Sequence, residues 1–104
     1  MSDYNSDVQE IIESEVDEDI KEPSMYKVLL HNDNYTTMQF VVEILIFVFN
    51  KTEAQAMKIM LNVHEQGIGI CGVYTLEIAE TKVKTVEKLA QENEFPLRCT
   101  IEEE

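Results

Sequence analysis

The chain has 104 residues, 21 acidic and 8 basic, for a formal net charge of −13. One domain is the expectation at this length, and so large a negative charge repels phosphate backbones and argues against nucleic acid as a partner. No apolar run approaches the ~20 residues a membrane span needs. Met1–Glu10 lacks the basic and apolar regions of a secretory signal, so cytoplasmic residence is expected. Cys71 and Cys99 are then expected as free thiols.

Residues 1–24 carry nine acids and one base, a net −8, against −5 for the other 80 residues. The segment is poor in apolar side chains, cannot offset its ordering entropy by burial, and is expected to be a disordered acidic extension. Fully stretched it would reach ~80 Å at ~3.3–3.6 Å per residue. It can serve as a solvating end or as a tether presented to a partner.

A folded domain is expected over 25–104. Met25–Leu30 is a compact apolar run that predicts a strand, and His31-Asn32-Asp33-Asn34 predicts the turn after it. Thr36-Thr37-Met38-Gln39 fits a capping box with Thr36 as the cap. Phe40, Val41, Ile44, Leu45 and Val48 follow at helical spacing. Phe47 and Phe49 widen that stripe, which predicts a heavily buried helix. Thr52-Glu53-Ala54-Gln55 is a second capping box, with Ala56, Ile59, Met60 and Val63 on one face and Gly67 placed for a left-handed stop.

Gly69–Tyr74 predicts a second strand. Thr75 can cap a third helix, with Glu77 in the first turn where the helix dipole favours a negative charge and with Ala79, Val83, Val86 and Ala90 as its buried stripe. Pro96 ends helical structure, and Leu97, Cys99 and Ile101 alternate with Arg98 and Thr100 as a last strand. The order β-α-α-β-α-β implies an α+β fold: three helices on one face of a small three-stranded antiparallel sheet, behind a disordered N-terminal tail.

The sequence offers few catalytic parts. His31 and His64 stand in no metal-binding spacing, so neither a metal nor a cofactor is expected. Gly67-x-Gly69-x-x-Gly72 matches a dinucleotide fingerprint in letters, but it runs from helix into strand, the reverse of what such a site needs. Cysteines on apolar strands have raised pKa values and blunted reactivity. No enzyme is expected.

Two places remain. Asn32-Asp33-Asn34 joins a strand to a capped helix, and such residues form turns in their own right. Met60, Val63 and His64 share one helix face. Met and Val there fit a core stripe, and a histidine near a helix C-terminus is favourable on electrostatic grounds alone.

In combination, Tyr26-Lys27-Val28-Leu29-Leu30-His31-Asn32-Asp33, Tyr35-Thr36-Thr37-Met38-x-Phe40-Val41-Val42, Val63-His64-Glu65, Cys71-Gly72-Val73-Tyr74-Thr75, Ala79-Glu80-Thr81-Lys82-Val83 and Phe95-Pro96-Leu97-Arg98-Cys99 resemble the ClpS family. These are bacterial adaptors that hand N-end-rule substrates to the Clp AAA+ protease. The resemblance spans residues 25–103. It implies recognition of N-terminal Leu, Phe, Tyr or Trp. Asn32, Asp33 and neutral His64 would accept hydrogen bonds from the free α-ammonium. Met38, Val41, Met60, Val63 and Leu97 would line an apolar pocket, and Thr36 would add a polar contact at its rim.

The resemblance also implies that Glu77 and Lys82 bind the N-terminal domain of the unfoldase and that the tail assists delivery. The family pattern is usually Asn-Asp-Asp. The third position here is Asn34, which removes one negative charge and leaves its role open. Two other classes fit parts of the pattern. One is an interaction module like the C-terminal domain of the ribosomal stalk protein, which would not need Asn32, Asp33 or His64. The other is a small hydrolase using Asp33 and His64, for which the chain supplies neither nucleophile nor oxyanion hole.

Overall fold

The computed structural model describes residues 22–104, so the acidic segment lies almost wholly outside the described residues. Six elements follow in order: β1 (Met25–His31), α1 (Met38–Phe47), α2 (Glu53–Gln66), β2 (Ile68–Thr75), α3 (Leu76–Glu92) and β3 (Arg98–Glu103). This is the expected α+β arrangement of three helices and a three-stranded antiparallel sheet. β1 is the central strand, in the order β2-β1-β3.

The pleat of β1 divides its side chains. Val28 and Leu30 enter the core, where neither is exposed to solvent. His31 lies on the other face and reaches Thr100 of β3, with 2.7 Å between Nε2 and Oγ1. Val28 pairs with Gly72 and Leu29 with Ile70, so Cys71 is an extra residue in β2 and the register shifts there. Such a bulge bends the strand and adds twist. Cys71 is wholly buried, and both cysteines are free. Burial raises both thiols, Cys99 to about 12.

The start of α1 differs from the expectation by one residue. Thr37, not Thr36, caps the helix and accepts from the Phe40 amide at 3.1 Å. Gln39 does not reach back to the cap but donates to Glu43. The helix also ends sooner than its apolar run. Phe40, Val41, Ile44 and Leu45 are buried, but Phe47 is 78% exposed. Phe49 lies beyond the helix and turns inward, buried, just before Asn50 at φ 55°. A short helix cannot bury residues on every side, and the chain resolves this by leaving the helix at Phe47.

The second capping box forms as read, with Thr52 accepting from the Gln55 amide and the Gln55 side chain accepting from the Thr52 amide. Gly67 is left-handed at φ 86° and closes α2 through its N–H to Val63. Gly69 allows α2 to lie close on β2: a Cβ there would stand 2.6 Å from Val63 Cγ2. On α3, Ala79, Val86 and Ala90 are buried, and Val83 packs at the margin of the core. Thr75 stands at its N-cap without a side-chain capping bond. Phe95 meets Phe40 with ring centroids 4.8 Å apart. No helix among the described residues is long and apolar enough to cross a membrane.

Candidate functional site

The site grows from the loop between β1 and α1. The Asn32 amide donates to the Gly67 carbonyl at 2.9 Å, which ties this loop to the end of α2. Asp33 organises the residues behind it. One carboxylate oxygen accepts from the Tyr35 amide at 2.8 Å and the Thr36 amide at 2.6 Å, and the other accepts from the Thr36 hydroxyl at 2.7 Å. An aspartate that bonds the backbone ahead of it in this way mimics a turn. Burial acts to raise the Asp33 pKa, but the Thr36 and Tyr35 donors outweigh it and hold the group below its ordinary value. The carboxylate is therefore charged at neutral pH. With about four lone-pair sites, it can accept further donors.

Beside it opens a cavity of about 270 Å³ between the loop, the start of α1 and the last turns of α2. Asn32, Asp33, Asn34, Thr36 and His64 form its polar part, and Met38, Val41, Met60 and Val63 its apolar part. Val41, Met60 and Val63 are buried, whereas Met38 is 46% exposed and stands at the mouth. Helix spacing explains the convergence, since Met38 with Val41, and Met60 with Val63, are each three residues apart on one helix face. Among the described residues no cluster of side chains suited to a metal is present.

Eight of the nine expected site residues thus surround one cavity. Leu97 does not. It is buried in the core ahead of β3 and is not part of the cavity wall. Asn34, whose place in the site the sequence left open, does line the cavity. Its position in the loop that holds Asp33 was the available signal.

Glu77 and Lys82 stand apart from the cavity on α3. Glu77 is exposed in the first turn. The Lys82 ammonium donates to the Val48 carbonyl at 2.7 Å and lies 5.3 Å from the Tyr74 ring centroid and 5.8 Å from that of Phe49. Lys82 therefore closes the C-terminal end of α1 as well as standing near the surface.

Residues 21–100 match the family model for the ATP-dependent Clp protease adaptor protein ClpS. An adapter protein ClpS of Oleidesulfovibrio alaskensis is 54% identical over 103 residues, covering 99% of both chains. That of Lawsonia intracellularis is 64% identical over 86 residues, covering 83% of this chain and 79% of the relative. Among solved structures, ClpS2 of Agrobacterium tumefaciens bound to L-phenylalaninamide superposes with a TM-score of 0.77 at 40% identity, covering 80% of this chain and all of the other.

Proposed function

The chain belongs to the ClpS family of ATP-dependent Clp protease adaptors, which are not enzymes, and from that premise we propose how its cavity serves the adaptor role. The cavity takes the first residue of a protein substrate when that residue is Leu, Phe, Tyr or Trp and its amine is free. The observation that carries this reading is the charged carboxylate of Asp33 facing a hollow walled by Met38, Val41, Met60 and Val63. An N-terminal residue has the matching pair of features on one Cα: a cation with three donors and an apolar side chain. The phenylalaninamide held by the Agrobacterium relative is a molecule of that kind.

In this reading Asp33, the Asn32 side-chain oxygen and a ring nitrogen of His64 accept from the ammonium, and Thr36 keeps the Asp33 carboxylate aimed. Charge-assisted hydrogen bonds contribute ~1.5–3 kcal/mol each, and burying a Leu or Phe side chain a further ~1.5–3 kcal/mol. Less the cost of immobilisation, micromolar affinity follows, ~8 kcal/mol. Met38 at the mouth disfavours a branch at Cβ, since overpacking costs ~1–3 kcal/mol. Leu97 acts from behind the wall, through the core.

Delivery follows binding. The N-terminal domain of a Clp AAA+ unfoldase docks on α3, with Glu77 exposed to it and Lys82 partly committed to the Val48 carbonyl. The acidic N-terminal segment serves as the tether to the unfoldase, in the cytoplasm. Fluorescence anisotropy with a Leu-initiated peptide and its N-acetyl twin tests the substrate assignment. Acetylation is expected to weaken binding at least about tenfold. Equal affinities would refute it.

A further inference from the structure

A second depression adjoins the first. Met38 and Met60 line both and form the ridge between them. Beyond that ridge the surface continues over Val42 and Met57 to Gln39 and Glu43, enclosing about 510 Å³. Met57 is 44% exposed, so it rests on the surface and is not locked in the core. The two polar side chains at the margin bond to each other, Gln39 Nε2 donating to Glu43 Oε1 at 3.2 Å. The floor between them is carbon and sulfur. Three thioethers in one groove give a soft, adaptable surface for an apolar guest.

The ridge relates this groove to the cavity. Consecutive Cα atoms are ~3.8 Å apart, and successive side chains of an extended chain point to opposite sides. A chain running along the Met38–Met60 ridge with its first side chain in the cavity drops its second across the ridge.

We propose that this groove seats the side chain of the substrate's second residue and selects a long apolar one. The inference rests on the cavity being the seat of the first residue. Val42 and Met57 then become specificity-determining residues, with no part in holding the amine. Norleucine and Met reach into the groove, and Ala does not.

Binding of Leu-norleucine and Leu-alanine peptides, otherwise identical, tests the assignment, with N-acetyl versions of each. Norleucine at position two is expected to tighten binding about fivefold through partial burial. In Met57→Gln that ratio is expected to fall to within about twofold of unity, since the polar amide replaces a thioether in the groove wall. In Leu61→Gln, on the same helix and also 44% exposed but outside the groove, the ratio is expected to persist. Circular dichroism checks that both variants fold.

Equal affinity for norleucine and Ala, with the penalty for acetylation intact, overturns the groove and leaves the cavity standing. Loss of the acetylation penalty removes the cavity reading first and the groove with it. A response confined to position three overturns the placement. A larger gain from Arg than from norleucine, abolished in Glu43→Gln, replaces the apolar site with a cation site.

Discussion

The two ends of α1 solve the same problem with opposite consequences. A helix end leaves backbone groups without partners. At the N-terminal end Thr37 accepts from the Phe40 amide, while Asp33 gathers the Tyr35 and Thr36 amides of the approach. At the C-terminal end Lys82 donates to the Val48 carbonyl between the Phe49 and Tyr74 rings. Asp33 is held by donors and still faces an open cavity. Lys82 spends a donor on the fold, and the apolar groups around it are packed. A charge that the fold orients but leaves facing a hollow is available to a ligand. A charge drawn into helix closure contributes mainly to stability.

Substitutions at the two ends should therefore divide cleanly between stability and binding. The largest effect is expected at the closed end, where Phe49→Ala removes a buried ring and should cost ~3–5 kcal/mol in chemical denaturation. Next comes the open end. Asp33→Ala removes the charged acceptor and should weaken Leu-peptide binding by ~10–150-fold, the equivalent of ~1.5–3 kcal/mol, in anisotropy titrations. Its folding cost should be smaller, because the turn amides it releases are close to solvent. Lys82→Met keeps the aliphatic stem but loses the bond to Val48, and ~1–2 kcal/mol of stability should go with it while peptide affinity stays the same. Were Lys82→Met to abolish peptide binding and spare stability, the division between the ends would fail.

Acid should separate the groups further. Asp33 is held below its usual range, so its contribution is present above the unfolded carboxylate value of ~3.9 and is lost only as pH falls through its lower folded value. It stays ionised at mildly acid pH. Peptide affinity that depends on this charge is therefore expected to persist into mildly acid solution and to be lost only at strongly acid pH, as anisotropy titrations across pH would show.

His31 gives a smaller, separate signal in stability. Burial first, and the nearby Arg98 charge second, lower its folded pKa. The unfolded chain binds more protons between that folded value and ~6.5, so stability declines as pH drops through this window. Urea melts of the wild type and His31→Gln would show it as a pH dependence present in the first and diminished in the second. The smallest change is expected for Phe47→Gln. With the ring 78% exposed, stability should move by no more than ~0.5 kcal/mol, in contrast to its buried neighbour Phe49.

Much of this was legible in the sequence because it is local. The Thr52–Gln55 box, the Gly67 stop and the strand patterns depend on neighbouring residues; the first two formed as read, and the strands formed with ends shifted by a residue or two, His31 joining β1 and Leu97 falling just ahead of β3. The clustering of Met38, Val41, Met60 and Val63 with Asp33 followed from helix spacing and family resemblance together.

What escaped was decided by tertiary competition. Thr36 and Thr37 are equivalent as caps in a sequence window, but Asp33 takes the Thr36 hydroxyl and leaves Thr37 to cap. Phe47 and Phe49 both extend an apolar run, and only the turn at Asn50 decides which enters the core. No spacing rule shows that Lys82 is engaged by Val48, a residue 34 positions away.

The central claim is that the Asp33 carboxylate and the substrate amine interact directly. A double-mutant cycle measures this, using wild type and Asp33→Ala, each titrated with a Leu-initiated peptide and its des-amino analogue. Direct contact predicts a coupling of ~1.5–3 kcal/mol, so that removing the amine weakens binding to wild type strongly and to Asp33→Ala much less. Purely additive losses would contradict the account.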